Sequence, residues 1–168
     1  AALLLWVGRP AEPVTGAALA AAGGLHLARL SRWAGDRCTA EPLLLVLHLA
    51  YGLLPLGSLA LAVEALSPGL FGMIAAQHLW MAGTIGLMTL AVMTRATLGH
   101  TGQELTAGRG TVAIYAALVA AVAARIAAGA LPAQAGTLLT LSGLAWIASF
   151  GGFAALYGPS MLRPRPKG

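Results

Sequence analysis

Four histidines are the residues best suited to chemistry in this chain, and each lies within or beside a long apolar segment. Polar side chains inside a lipid bilayer are costly, so each of them needs a partner or a purpose. Neutral imidazole is a common ligand of copper, zinc and haem iron, which makes these residues candidate metal ligands. They are His26, His48, His78 and His100.

Three of the histidines are predicted to lie near one level of a helical bundle. His26 precedes the end of the first apolar segment, His48 follows the start of the second, and His100 follows the end of the third. At a rise of ~1.5 Å per residue, they could lie within about two turns of one depth and form a metal site. The alternative is an interfacial histidine bonded to a backbone carbonyl, and the spacing alone matches no metal-site motif.

His78 lies deeper, about two turns or roughly 12 Å into the third segment. On an α-helical wheel it lies beside an arc of polar and sulfur side chains, opposite a side of small residues that should pack on a neighbouring helix. Methionine and histidine together suit copper(I) or a haem axial position, although methionine also fills gaps in cores. The arc contains Gln77, Met81, Thr84, Met88 and Arg95, and the small side contains Gly72, Ala76, Gly83, Gly86 and Thr94.

Two arginines are candidates to balance the negative charge of a bound cofactor or substrate. Arg125 lies in the fourth apolar segment at a depth comparable to that of His78, where an arginine needs an anionic partner. Glu64 or a haem propionate could supply it, or the side chain could reach the membrane interface instead. Arg95 could bond the carbonyls at the end of its helix or an anionic group.

The stretch "LGHTGQEL", residues 98–105, follows the third segment directly. Its two glycines let the backbone turn sharply, so that His100 and Thr101 could fold back towards the bundle. The alternative is an ordinary helix cap.

The composition predicts an all-α, polytopic membrane protein. Of 168 residues, 58% are hydrophobic and 9% are charged, whereas soluble domains carry about 25% charged residues. The net charge of +5 is spread over short loops, so we do not expect nucleic acid as a partner. Cys38 is the single cysteine and is expected to be a free thiol in a loop.

The whole chain, residues 1–168, is predicted to be one transmembrane domain with five spans, at about 14–30, 43–65, 69–94, 111–131 and 137–157. Basic residues concentrate on one face, which predicts that this face and the C-terminus are cytoplasmic. They are Arg29, Arg32, Arg37, Arg95, Arg109, Arg163, Arg165 and Lys167. Because the chain begins at Ala1 with a short apolar piece, we expect it to be the C-terminal part of a longer protein.

Several enzyme motifs are missing. The sequence contains no Walker-type loop and no GxGxxG, and its single aspartate, Asp36, lies in a loop. A Ser/His/Asp triad is therefore not credible, and catalytic residues cannot be assigned.

The stretch "HLWMAGTIGLMTLAVMTRATLGHTGQEL", residues 78–105, resembles the signature region of the NnrS family of membrane proteins. The segments "RLSRW", "PLLLVLHLAYG", "AARIAAG" and "LAWIASFGGFAALYGPSMLRPRPKG" occur in the expected order, so the resemblance covers nearly the whole chain. It implies a larger bundle of about twelve membrane helices, each of ~20 residues or more. His78 and His100 match the motif histidines of the family, and His48 matches its "LH" position.

The resemblance implies a haem- and copper-containing protein of the bacterial inner membrane, tied to nitric oxide metabolism, denitrification or relief of nitrosative stress. Its partners would be nitric oxide or a related small molecule, lipid and the remaining helices. Whether it is an enzyme stays open. A non-catalytic sensor or metal-delivery protein and a cofactor-free transporter are the alternatives.

Overall fold

The structure, a computed structural model, describes residues 1–33, 35–70 and 72–162. This part of the chain contains helices and no strand, which confirms the all-α prediction. One of the helices, Met73–His100, contains a π-helical segment, Leu79–Gly86. The helices are α1 (Ala2–Gly8), α2 (Pro13–Leu30), α3 (Pro42–Leu66), α4 (Met73–His100), α5 (Arg109–Ala130) and α6 (Ala135–Leu162).

Prolines mark two of the helix starts. Pro13 and Pro42 are the first residues of α2 and α3, a position whose N–H has no partner within the helix in any case. Pro132 opens a short 3-10 turn that leads into α6.

Four helices are long and apolar enough to cross a membrane, within the part of the chain that is described: Pro42–Leu66, Met73–His100, Arg109–Ala130 and Pro132–Leu162. This count differs by one from the five spans predicted from the sequence. The first predicted span forms α2, an 18-residue helix. Its glycines, His26 and Arg29 lower the mean hydropathy of this helix.

Neighbouring helices run antiparallel and approach closely at glycines. Gly16 in α2 lies against Leu66 in α3, and Gly23 lies against Leu59 of the same helix. In α4, a Cβ at Gly83 would lie 3.0 Å from Leu53 Cδ1, and one at Gly86 would lie 2.9 Å from Trp146 Cη2. Four of the five small residues predicted to pack do so, since Ala76 and Thr94 are also fully buried, whereas a Cβ at Gly72, the N-cap, would meet no atom of the described residues within 4 Å.

The hydrophobic core has two parts. The larger lies among α3, α4, α5 and α6 and includes Leu90, Leu118 and Phe153. The smaller lies where α1 and α2 meet α3 and α4, around Leu19 and Leu61.

Serine and threonine hydroxyls join α5 to α6. Ser149 Oγ donates to the Ile114 carbonyl at 2.9 Å, and Ser142 Oγ donates to the Ala121 carbonyl at 2.7 Å. These bonds satisfy hydroxyls that would otherwise be buried without a partner, and they fix the register of the two helices.

Ser149→Ala should lower the free energy of unfolding by about 1 kcal/mol, because the fully buried hydroxyl loses its bond to α5. Thr140→Ala is the matched control, since that exposed hydroxyl bonds only to the Gly136 carbonyl of its own helix. Reversible unfolding in mixed micelles measures both. Equal losses in the two variants would contradict the proposed role of the interhelical bond.

The π-helix overturns the predicted arc on α4. Its i→i+5 bonds place more residues in each turn than an α-helix, so a wheel drawn at the α-helical period fails beyond Leu79. Gln77 and Met81 line a cavity, whereas Met88 packs against the larger core and Thr84 is buried. These side chains do not share one surface.

Basic side chains at the ends of α2 and α4 and at the start of α5 lie at one end of the bundle, because the helices alternate in direction. They are Arg29, Arg32, Arg95 and Arg109. Arg163, Arg165 and Lys167 lie outside the described residues, as does the side chain of Arg37. The predicted orientation in the membrane stays a prediction.

Candidate functional site

A cavity of about 500 Å³ lies between α4, α5 and α6. Its volume falls within the ~300–1,000 Å³ typical of ligand pockets. Most of its lining surface is apolar, and six polar, sulfur-containing or aromatic side chains from all three helices converge on it. They are Gln77, His78, Met81, Arg125, Ser142 and Trp146.

The imidazole of His78 is held in one orientation by its own helix. Nδ1 lies 2.7 Å from the Ile74 carbonyl oxygen, one turn earlier. A carbonyl only accepts, so Nδ1 carries the proton, and the neutral ring keeps its lone pair on Nε2. Metal-binding histidines commonly donate their second ring N–H to a carbonyl in this way. The chemistry of His78 therefore fits a metal or haem ligand.

Arg125 in α5 lines this cavity and a second one of about 490 Å³, which extends towards the start of α4 at Gly72 and Ala75. The side chain is half-buried, and its guanidinium makes no hydrogen bond or ion pair with any residue that the structure describes. A cation at this depth favours an anionic occupant nearby. The predicted pairing with Glu64 is not formed.

The carboxylate of Glu64 is occupied by backbone groups. It accepts hydrogen bonds from the N–H of Gly69 at 2.6 Å and of Gly72 at 2.9 Å. Glu64 is 7% exposed, so these bonds compensate for the loss of water around its charge.

His26 and His48 meet in an aromatic cluster at the opposite end of the bundle. Tyr51 OH lies 2.7 Å from His26 Nδ1, and its ring packs on that of Trp33 at 4.5 Å. The Trp33 ring also makes an edge contact with His48, with 5.9 Å between centroids, and Arg29 lies over its face. The two histidines are therefore linked through shared aromatic neighbours.

His48 has the same type of backbone bond as His78. Its Nδ1 donates to the Leu44 carbonyl at 3.0 Å, which leaves the Nε2 lone pair available. Gly35 allows the preceding loop to approach the ring, since a Cβ there would lie 2.9 Å from His48 Cδ2. Of the two histidines in the aromatic cluster, His48 is therefore the better candidate metal ligand.

His100 is exposed at the last position of α4. The following turn is a Schellman cap, in which Gln103 N–H donates to the Leu98 carbonyl at 2.9 Å and Gly102 has a φ of 69°. Thr101 folds back and donates to the Thr97 carbonyl at 2.7 Å. Gly102 of "LGHTG" is thus explained by an ordinary helix cap.

Arg95, one turn before this cap, is half-buried. Its guanidinium forms no hydrogen bond with the described carbonyls at the end of the helix. Its predicted role towards an anionic group stays a prediction.

The predicted three-histidine site is not formed among the described residues, where no three His, Cys, Asp or Glu side chains are placed to hold one ion. His26 and His48 lie in the aromatic cluster, whereas His100 lies apart at the end of α4. Each histidine therefore has to be judged as a ligand on its own contacts.

Sequence reasoning missed three kinds of residue at these sites. Ser142 and Trp146 line the His78 cavity from α6, a helix with no histidine or internal arginine that could have drawn attention to it. Tyr51, three residues after His48, could have been found as a neighbour on the same helical face. The role of Glu64 in the loop had no local sequence signal.

Comparison with known proteins gives one family. The NnrS protein family is matched over residues 1–165, which is nearly the whole chain. Searches among curated proteins and among solved structures gave no match.

Proposed function

The chain belongs to the NnrS family, and on that premise we propose that it is part of a haem- and copper-containing membrane protein that handles nitric oxide. The observation that carries the proposal is the cavity that His78 and Arg125 both line. The Nδ1 of the imidazole is bonded to a carbonyl, which leaves the Nε2 lone pair available, and the half-buried guanidinium forms no ion pair with any residue that the structure describes. Both groups favour a bound cofactor or anion in this cavity.

In this proposal His78 would hold the haem iron and Arg125 would balance the negative charge of a propionate. His48 is the preferred candidate for copper because its Nδ1–H is bonded to a carbonyl. His26, His100 and Arg95 stay secondary candidates, supported by the sequence resemblance or by position alone. Haem iron with an open coordination position binds nitric oxide, and copper supplies electron transfer.

The residues of the chain would contribute binding and exclusion of water. Met81, Trp146 and the aliphatic lining make the cavity apolar, which favours an uncharged diatomic ligand over water. Ser142 donates its hydroxyl to the Ala121 carbonyl, so its oxygen can still accept a hydrogen bond from a bound group.

The test is optical spectroscopy with metal analysis of the intact full-length protein. We expect a haem spectrum that shifts when nitric oxide is added, and copper in the purified protein. Steady consumption of nitric oxide with an electron donor would identify an enzyme, whereas a spectral shift without turnover would identify a sensor. A colourless, metal-free protein would overturn the proposal and favour transport.

A further inference from the structure

The loop between α3 and α4 is organised around one buried carboxylate. Glu64 lies in the last turn of α3 and receives the N–H groups of Gly69 and Gly72. Both glycines have a positive φ, 87° and 90°, which a residue with a side chain rarely adopts. The loop is thus shaped so that its amides point back to one acid.

The position of this acid is unfavourable within its own helix. A negative charge near a helix C-terminus opposes the helix dipole, and burial to 7% exposure removes it from water. The hydrogen bonds that Glu64 accepts from the loop offset both costs. Gly72 is the N-cap of α4 and has no capping side chain, so the carboxylate of Glu64 caps the positive end of α4 in its place.

The capped turn of α4 is the turn that orients His78. The Ile74 carbonyl that accepts the His78 Nδ1–H lies two residues after Gly72. The hydrogen bond from Ala76 N–H to the Gly72 carbonyl, at 3.0 Å, closes the same turn. Glu64 therefore fixes the backbone that carries the acceptor of the His78 ring.

We propose that Glu64 is a positioning residue for His78, acting through the Gly72 N–H and the first turn of α4 to set the direction in which the imidazole Nε2 points. The inference rests on the proposed function only in assigning His78 to the cofactor. Glu64 is not among the residues that line the His78 cavity, so its effect would be transmitted by the backbone hydrogen bonds of the loop and of the first turn of α4.

The experiment compares Glu64→Ala, Glu64→Gln and Glu12→Ala in the full-length protein. Glutamine keeps one acceptor oxygen without the charge, and Glu12 is an exposed acid with no capping bond at the start of α2. The first measurement is hydrogen exchange of residues 69–78. We expect exchange about tenfold faster or more in Glu64→Ala, a smaller change in Glu64→Gln, and none in Glu12→Ala.

The second measurement reports on His78 itself. With haem bound, the optical and electron paramagnetic resonance spectra of Glu64→Ala should differ from those of the wild type, and its haem content should fall towards that of His78→Ala, with Glu64→Gln in between. Faster exchange in the loop with an unchanged haem spectrum would overturn the proposal and leave Glu64 as a loop anchor only.

The two proposals can fail separately. If the intact protein carries no haem, or if His78→Ala keeps the wild-type spectrum, the assignment of His78 to haem is wrong. Nitrogen-15 resonances of His78 then decide the positioning role, because they distinguish a protonated Nδ1 from a protonated Nε2. Loss of the Nδ1–H form in Glu64→Ala would support that role, and its full retention would overturn it.

Discussion

His78→Ala in the full-length protein is expected to lower the haem content by about tenfold or more, because it removes the one imidazole in the cavity between α4, α5 and α6. The haem content per polypeptide, measured by absorbance after extraction into pyridine, tests this directly. The cavity should otherwise remain, since the His78 side chain is only partly buried.

His100→Ala provides the contrast on the same helix. His100 is exposed at the end of α4, outside the cavity, and this variant should keep its haem. Thr89→Ala, at an exposed position of α4, controls for general effects of substitution. Loss of haem in His100→Ala with retention in His78→Ala would move the ligand to the end of the helix.

Gly57→Ala is the second change with a large expected effect. A Cβ there would lie 2.9 Å from Trp80 Cβ and 3.0 Å from Trp80 Cα, next to the backbone at the start of the π-helix. Since main-chain atoms cannot yield as a flexible side chain can, α3 and α4 must separate. We expect a loss of about 1–3 kcal/mol in the free energy of unfolding.

Gly24→Ala in α2 is the matched control for this packing effect. A Cβ at Gly24 meets no described atom within 4 Å, so this helical glycine should tolerate alanine or gain up to ~1 kcal/mol of stability from helix propensity. Unfolding of both variants in mixed micelles gives the comparison. A Gly57→Ala protein as stable as wild type would mean that the contact with Trp80 can relax without loss.

The fold could be predicted from the sequence wherever one physical signal dominated. The length of the apolar segments predicted the helices, and small residues predicted much of the close packing of α4, because each signal depends only on local composition. The first span was the exception. Its glycines and two polar residues, His26 and Arg29, make α2 less apolar than its length suggested.

The candidate site was harder to predict because it depends on contacts between helices. The sequence predicts comparable depths for His78 and Arg125, and the structure adds that both line one cavity. The π-helix was not foreseen, since no residue type signals i→i+5 bonding, and it separated Met88 from Met81. The position of a residue along the bundle axis also does not determine in which direction its side chain projects. For this reason His26 and His48 reach the aromatic cluster and His100 does not.

Arg125 lines two cavities with a single guanidinium. Two negatively charged occupants would have to share its positive potential, so binding in either cavity would weaken binding in the other. By thermodynamic linkage the penalty is the same in both directions. An oxyanion bound in the second cavity, at the Gly72 end of α4, would therefore weaken the binding of any acidic group beside His78. This effect requires no movement of the backbone.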